Sequence, residues 1–432
     1  MEADTKILGT ADGALLKRRS LTLNFQSFWA IADQGIVSLG NFLTTIILAR
    51  TLTPEAYGLW SVIFGLILFL NVLPYSLINY PLSVRMAARD EIGQSSLVKA
   101  SLVLTALLAV PQILILVTAS FLVAHIGLGL SAGFCLLVWQ LQETTRRALM
   151  AQLAFGTAMC TDAISYLGQA VLIWCCARAG RLSPQIAFAV VGLTCVLAAF
   201  AQLCFLRGLR RGKLELKQHA RSFWVTGRWV LGSDILANFN VQAGPWALFI
   251  LGGPAQAAGF QAVANLLGVS HPIKLSLGNY LIPAVARVRA NRGVSAAQRV
   301  ALSQSTQAAA LLLPLILALL IFPRPLLGLV YGAASPYQLL EWPLRLLALT
   351  YILSYWAMAI RFFLIAVESR NRAQFLFELS WSVLFFALLI PLTFHWGITG
   401  AIVATGITQG AKLASNLMLM RQVKDQSAKK RD

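Results

Sequence analysis

FWAIADQGIVSLGNFLTTIILARTLTPEAYG, residues 28–58, is the stretch from which the rest of the chain can be read. It is apolar enough to cross a bilayer, yet it carries Asp33-Gln34 near one end and Asn41 in the middle. Arg50 closes the run, and Thr53-Pro54-Glu55-Ala56-Tyr57-Gly58 turns the chain into another apolar stretch. A carboxylate at the centre of a membrane helix costs about 2.5–3.5 kcal/mol on insertion scales, so it ordinarily faces protein or water. The partner of Asp33 is therefore the first thing to look for.

The chain of 432 residues is 58% hydrophobic and 12% charged, the composition of an integral membrane protein. At about 20 residues per spanning helix it has room for roughly twelve. The apolar runs are continuous rather than alternating, which excludes a membrane β-barrel. The N-terminal segment contains Glu2, Asp4 and Asp12, lacks an apolar core and sets Lys17-Arg18-Arg19 directly before the first span, unlike a cleaved signal peptide. Cys135, Cys160, Cys175, Cys176, Cys195 and Cys204 lie in or beside apolar runs without ligand-like spacing to histidine. They read as small apolar filler, with neither a metal site nor a disulfide implied.

The net charge of +19 has a topological origin. Spans centre near Ser38, Leu68, Pro111, Leu141, Gly168 and Val196, then near Asn240, Val269, Leu312, Tyr355, Phe385 and Thr408. Arg50, Arg178, Arg181, Arg324 and Arg345 fall on one side, and Lys274, Arg361 and Lys412 fall within spans. The rest of the 35 Lys and Arg fall on the other side, which makes that side and both termini cytoplasmic. The charge thus reports orientation, with membrane lipids rather than nucleic acid as its partner. The expected layout is an N-terminal cytoplasmic tail over 1–23, a six-helix bundle over 24–206 and a basic cytoplasmic linker over 207–228. A second six-helix bundle over 229–420 and a cytoplasmic tail over 421–432 follow.

Polar landmarks recur at an offset of roughly 200 residues. Asp33 matches Asp234, Pro54 matches Pro254, and Gly58 matches Gly259. Asn79-Tyr80 matches Asn279-Tyr280, Pro81 matches Pro283, Arg85 matches Arg287, and Pro111 matches Pro314; after a longer outer segment, Arg147 matches Arg361. The fold expected is all-α: about twelve membrane helices in two six-helix bundles. An even number of spans per repeat places the pseudo-twofold axis along the membrane normal.

Three groups of residues are candidates for function. Asp33 and Asp234 each lie early in the first helix of a half, either as protonatable or cation-binding carboxylates or as structural acids paired with a neighbouring helix. Arg147 with Asp162, and Arg361 with Glu378, flank helix hairpins symmetrically, so opposite charges lie at similar depth and can pair as a clamp or as a moving gate. Lys274 lies in LGVSHPIKLSLGNY, two residues after a proline expected to kink the helix. It lies roughly 13 Å of helix from Pro283, far for snorkelling, and suits an anionic headgroup, with His271 one turn away. Lys412 reads as a snorkelling residue. No nucleophile–base pair, phosphate loop, metal spacing or cofactor motif stands out, and the outer loops are short, so an enzyme is not indicated.

The opening, ADQGIVSLGNFLTTIILARTLTPEAYGLWSVIFGL followed by PLSVRMA, resembles the start of polysaccharide transporters, a branch of the multidrug/oligosaccharidyl-lipid/polysaccharide (MOP) flippase superfamily. Its most specific part is the A-R-x-L-x-P-E-x-Y-G turn from Ala49 to Gly58. The resemblance implies an alternating-access transporter of the bacterial cytoplasmic membrane. Such a protein flips a polyprenyl-pyrophosphate-linked oligosaccharide for O-antigen, exopolysaccharide or capsule, beside polymerase and chain-length machinery. It also implies a cationic cavity for the pyrophosphate, carried here onto Lys274, Arg361 and Arg147, with His271. Asp33, Asp234, Asp162 and Glu378 would then couple or gate. The alternatives are a multidrug/cation antiporter of the same superfamily, which favours acids and aromatics in its cavity, and a non-transporting component of a polysaccharide synthase.

Overall fold

A computed structural model describes residues 29, 32–86, 91–206, 213–367 and 371–429. Lys17-Arg18-Arg19, the start of the linker, Arg370 and the last residues of the C-terminal tail lie outside the described residues. Every regular element among those described is a helix. Among the described residues nine helices are long and apolar enough to span a bilayer. Two of these join separate helices across a break, His271–Ile321 at Gly293 (φ 80°) and Asn371–Lys429 at Gly397 (φ 54°). Only glycine takes such dihedrals without strain, so each break is a tight turn between two spans. The helix Ile126–Ala151 is long enough to span but is diluted by Gln140, Gln142, Glu143, Thr144, Thr145, Arg146 and Arg147. Dividing the two joined helices and adding this one gives the twelve spans expected from hydropathy. The chain is a multi-pass membrane protein.

The residues fall into two compact units. The first contains residues up to Asn41, Leu70–Ala179 and Gln185–Ser233; the second contains Phe42–Phe69, Gly180–Pro184 and Asp234 onward. The stretch 42–69, grouped by hydropathy with the first bundle, packs with the second unit. Residues 216–228 of the expected linker are already helical, at the start of Leu216–Gly252. The Arg85 guanidinium fastens them by donating to Ser222 O (2.9 Å) and Thr226 Oγ1 (2.7 Å).

In the first unit Glu91–Val123 lies along Ile126–Ala151, and Ile78, Leu82, Met86, Leu97, Leu149 and Phe223 form a core. In the second, Glu341–Ala366 packs on both His271–Ile321 and Asn371–Lys429, around Leu281, Tyr355, Phe363 and Leu364. Large apolar side chains such as Leu114, Leu122 and Leu311 stay exposed, as lipid-facing positions require.

Each proline-bearing second helix is interrupted, by different means. After Pro74, residues Tyr75–Asn79 widen into a π turn, with Tyr80 N–H donating to Tyr75 O. In the matching place the helix Pro254–Gly268 ends, and His271–Ile321 restarts with Pro272 in its first turn. Pro272 therefore begins a helix instead of kinking one, because a first-turn proline lacks only an N–H that has no partner there.

The Ala49–Gly58 turn acts inside the second unit. Arg50 Nε and Nη2 donate to Val330 O and Leu329 O, both at 2.5 Å, capping the end of Pro323–Tyr331. Tyr57 is fully buried, accepts from Asn265 Nδ2 at 2.9 Å and stacks on Trp60. Gly58 meets the Pro254 backbone so closely that any Cβ there collides with a carbonyl. Gly58→Ala is therefore expected to cost about 1–3 kcal/mol and lower the thermal midpoint of the detergent-solubilised protein. Gly35→Ala, with no atom within 4 Å of the new Cβ, is expected to leave it unchanged or raise it. Equal midpoints for the two variants would show that the turn is not a close contact.

Candidate functional site

The polar positions of Ile126–Ala151 bond to four neighbouring stretches of the first unit. Gln140 Nε2 donates to Asn71 Oδ1 (2.9 Å) and Gln112 Oε1 (2.7 Å). Thr144 Oγ1 lies 3.1 Å from both Asn79 Oδ1 and Thr105 Oγ1. Thr145 Oγ1 reaches Gln202 Oε1 at 2.5 Å, and Ser165 Oγ donates to Gln142 Oε1 at 3.1 Å. A buried polar group left unpaired in hydrocarbon costs several kcal/mol, so this ladder fixes the rotation of the helix.

That rotation turns Arg146 inward. Its Nη2 donates to Asp33 Oδ2 at 2.5 Å and its Nε to Asp162 Oδ2, while Nη1 lies 3.2 Å from Glu143 Oε2. Arg146, Asp33 and Asp162 are 7%, 1% and 0% exposed, so the guanidinium is enclosed by carboxylates from three helices. Asp33 Oδ1 is buried without a hydrogen-bond partner. Of the two roles open to it, Asp33 takes that of an acid paired with a neighbouring helix, inside the first unit.

The expected pairing of Arg147 with Asp162 is replaced by Arg146 with Asp162. Depth along a hairpin was right, but adjacent residues on a helix point about 100° apart, and only one can face the neighbouring helix. Arg147 turns to Glu143, with Nε 2.6 Å from Oε1, and to the Tyr75 ring, 5.3 Å from its centroid. Arg146 and Glu143 were missed although a signal existed: Gln142, Thr145, Arg146 and Leu149 share one face at i, i+3, i+4 and i+7, and all are buried.

In the second unit Arg361 Nη1 and Glu378 Oε1 pair at 2.9 Å, the contact their symmetric placement predicts. Glu378 Oε2 also receives Lys412 Nζ at 2.9 Å, so Lys412 pairs within the protein instead of snorkelling. Arg361 is 47% exposed, unlike Arg146. Lys274 Nζ lies over the Tyr351 ring, 4.5 Å from its centroid, and the Tyr351 hydroxyl is hydrogen-bonded to Ser270 Oγ. His271 is exposed, one turn before Lys274. Asp234 is half-buried, and its backbone oxygen accepts from Asn238 Nδ2 at 3.0 Å. The repeat thus brings similar charges to both units, but only the first encloses them.

Removing Arg146 would leave two carboxylates buried without their counter-ion. Arg146→Met is expected to destabilise the protein by about 3–5 kcal/mol and to reduce its yield in membranes. Adding Asp33→Asn and Asp162→Asn to that variant is expected to restore most of the loss, as read by thermal unfolding in detergent. A triple variant no more stable than Arg146→Met would dissolve the cluster into independent residues.

No protein family and no curated protein matches the sequence. Solved structures match over nearly its whole length. A multidrug resistance MATE family transporter of the MOP superfamily in an inward-facing conformation superposes with a TM-score of 0.68 at 14% identity, covering 92% of this chain and 99% of that one. An outward-facing conformation of such a transporter gives 0.65 at 15% identity, covering 92% and 95%. A MOP superfamily transporter from Pyrococcus furiosus, described as having a binding pocket of reverse polarity that suggests a different function, gives 0.61 at 13% identity, again covering 92% and 95%. The chain has the fold of the MOP superfamily transporters.

Proposed function

We propose that the chain is an alternating-access transporter of the bacterial cytoplasmic membrane, with both termini cytoplasmic and no enzymatic step. Its proposed cargo is a polyprenyl-pyrophosphate-linked oligosaccharide destined for surface polysaccharide, delivered to polymerase and chain-length machinery. The observation that carries this reading is the state of the charges. Asp33, Glu143, Asp162 and Glu378 are each held by an arginine or lysine of the chain itself. Acids already matched by resident cations are poor receptors for a cationic drug. Lys274, by contrast, rests on an aromatic ring, and Glu378 is shared by two cations. The positive surplus at Glu378 and Lys274 in the second unit suits a pyrophosphate, and the lipid tail can stay in the bilayer while the headgroup crosses in protein. The Ala49–Gly58 motif supports the same branch.

A second reading is efflux of multidrug type. The comparisons favour it over the flippase reading, since the matched structures include multidrug resistance transporters. The Pyrococcus furiosus protein, with its reversed pocket polarity, fits the idea that this fold serves cargoes of opposite charge.

Deleting the gene separates the two. The flippase reading expects loss of surface polysaccharide and accumulation of lipid-linked intermediate facing the cytoplasm. Normal appearance of that intermediate in the outer leaflet, with heightened sensitivity to cationic dyes, would establish the second reading instead. In a complemented strain Lys274→Ala is expected to lower export about tenfold, the worth of one charge-assisted hydrogen bond, without changing protein abundance. Lys274→Arg should recover part of it. Full export by Lys274→Ala would remove this lysine from the cargo path.

A further inference from the structure

The start of the helix Leu216–Gly252 has an exposed face to which transport gives no role. Its opposite face is fastened to the first unit. His219 Nε2 lies 3.1 Å from Ser96 Oγ, Phe223 is in the core, and Gly227 lies against the Ser76 carbonyl with no room for a Cβ. Arg85 holds the same segment through Ser222 and Thr226. These contacts fix the rotation of the helix, so the sequence alone sets what the far side presents.

Lys217, Arg221, Trp224 and Arg228 recur at i, i+4, i+7 and i+11, which places them on one stripe, and all are exposed. Val225 and Trp229, also exposed, flank it. Arg228 lies over the Trp229 ring, 5.1 Å from its centroid, a contact that leaves its N–H donors free. Among the described residues no acid pairs with Lys217, Arg221 or Arg228. The nearest acids along the chain, Glu215 and Asp234, lie beyond the ends of the stripe. From Arg228 to the helix end at Gly252 runs about 36 Å at 1.5 Å per residue, longer than the ~30 Å hydrocarbon core. Trp224, Arg228 and Trp229 therefore lie at headgroup level, on the side that the Lys and Arg asymmetry makes cytoplasmic.

The chemistry of the stripe narrows the occupant. An apolar surface would use the two indole rings and strand the cations. A soluble phosphate would use the cations and leave the rings idle. A phospholipid carries both parts at the right spacing, an anionic headgroup next to ester carbonyls and acyl chain. We propose that this face binds an anionic phospholipid of the adjacent leaflet. Arg228 takes the phosphate, and Arg221 and Lys217 add charge farther out. Trp224 and Trp229 lie at the level of the glycerol and upper acyl chain, with their indole N–H groups toward the ester oxygens. The site holds whichever cargo the chain carries.

The test uses the full chain in detergent, titrated with phosphatidylglycerol or with phosphatidylcholine of the same acyl chains, and read by native mass spectrometry and thermal unfolding. Phosphatidylglycerol is expected to be retained more tightly and to raise the midpoint, while inorganic phosphate leaves the midpoint unchanged. The double variant Arg221→Gln/Arg228→Gln is expected to weaken phosphatidylglycerol about thirtyfold, roughly five- to sixfold for each charge removed, with an unchanged midpoint when no lipid is added. Arg221→Lys/Arg228→Lys should keep most of the affinity. Arg178→Gln removes an exposed arginine that also lies over an indole ring, that of Trp174, and should leave the affinity unchanged. Equal retention of the two lipids, or undiminished phosphatidylglycerol binding by the double glutamine variant, would overturn the site. A loss as large in Arg178→Gln would reduce it to a general effect of exposed arginines. A midpoint raised as much by inorganic phosphate would make the face a site for soluble anions instead of lipid.

Discussion

The first unit depends on one electrostatic constraint: Asp33 and Asp162 are inside an apolar bundle, and Arg146 is what makes that tolerable. Charges at such depth survive only in company. The guanidinium meets that need because its planar fork presents several donors in fixed directions, so one side chain can hold acids from different helices at once. Those two ion pairs join the spans carrying Asp33, Arg146 and Asp162, and the amide and hydroxyl ladder from Gln140 to Thr145 extends the connection to Asn71, Thr105 and Gln202. Packing between membrane helices has little hydrophobic driving force, since lipid is as apolar as leucine, so polar contacts of this kind set position and rotation.

The second unit solves the same problem differently. Glu378 has two cationic partners, one of them half open to its surroundings. Exchange between Arg361 and Lys412 costs less there than separation of Arg146 from its carboxylates, because an exposed group keeps part of its solvation while it moves. A sequence repeat has thus been fitted for two tasks. The enclosed cluster holds its helices together, while the open one leaves a charge in reach of its surroundings.

Much of this was legible in the chain. Hydropathy yields the helices because bilayer thickness dictates their length. Symmetric placement about a hairpin located Arg361 opposite Glu378. The same rule placed an arginine opposite Asp162 but chose Arg147 over Arg146, since depth along a helix is linear while facing is angular. Lys412 escaped because its partner lies 34 residues earlier, a contact that spacing within one hairpin does not encode. The seating of residues 42–69 in the second unit was hidden for a related reason. Hydropathy orders helices along the chain and is silent on which helices share a bundle.

The Ala49–Gly58 motif illustrates why a strong sequence signal need not mark a binding site. Its arginine caps Pro323–Tyr331, its tyrosine is buried against Asn265, and its glycine admits the Pro254 backbone. Each residue type is demanded by geometry: a bidentate donor for two carbonyls, an aromatic hydroxyl for a buried amide, and no side chain where two turns meet. Pro54 and Pro254 are repeat mates, and the Gly58 contact brings the two turns together within one unit. A motif with this role makes the same contacts whatever the fold transports. On the proposed reading, discrimination between an anionic lipid-linked glycan and a cationic drug would come from side chains outside it, Lys274 and the two cations that share Glu378.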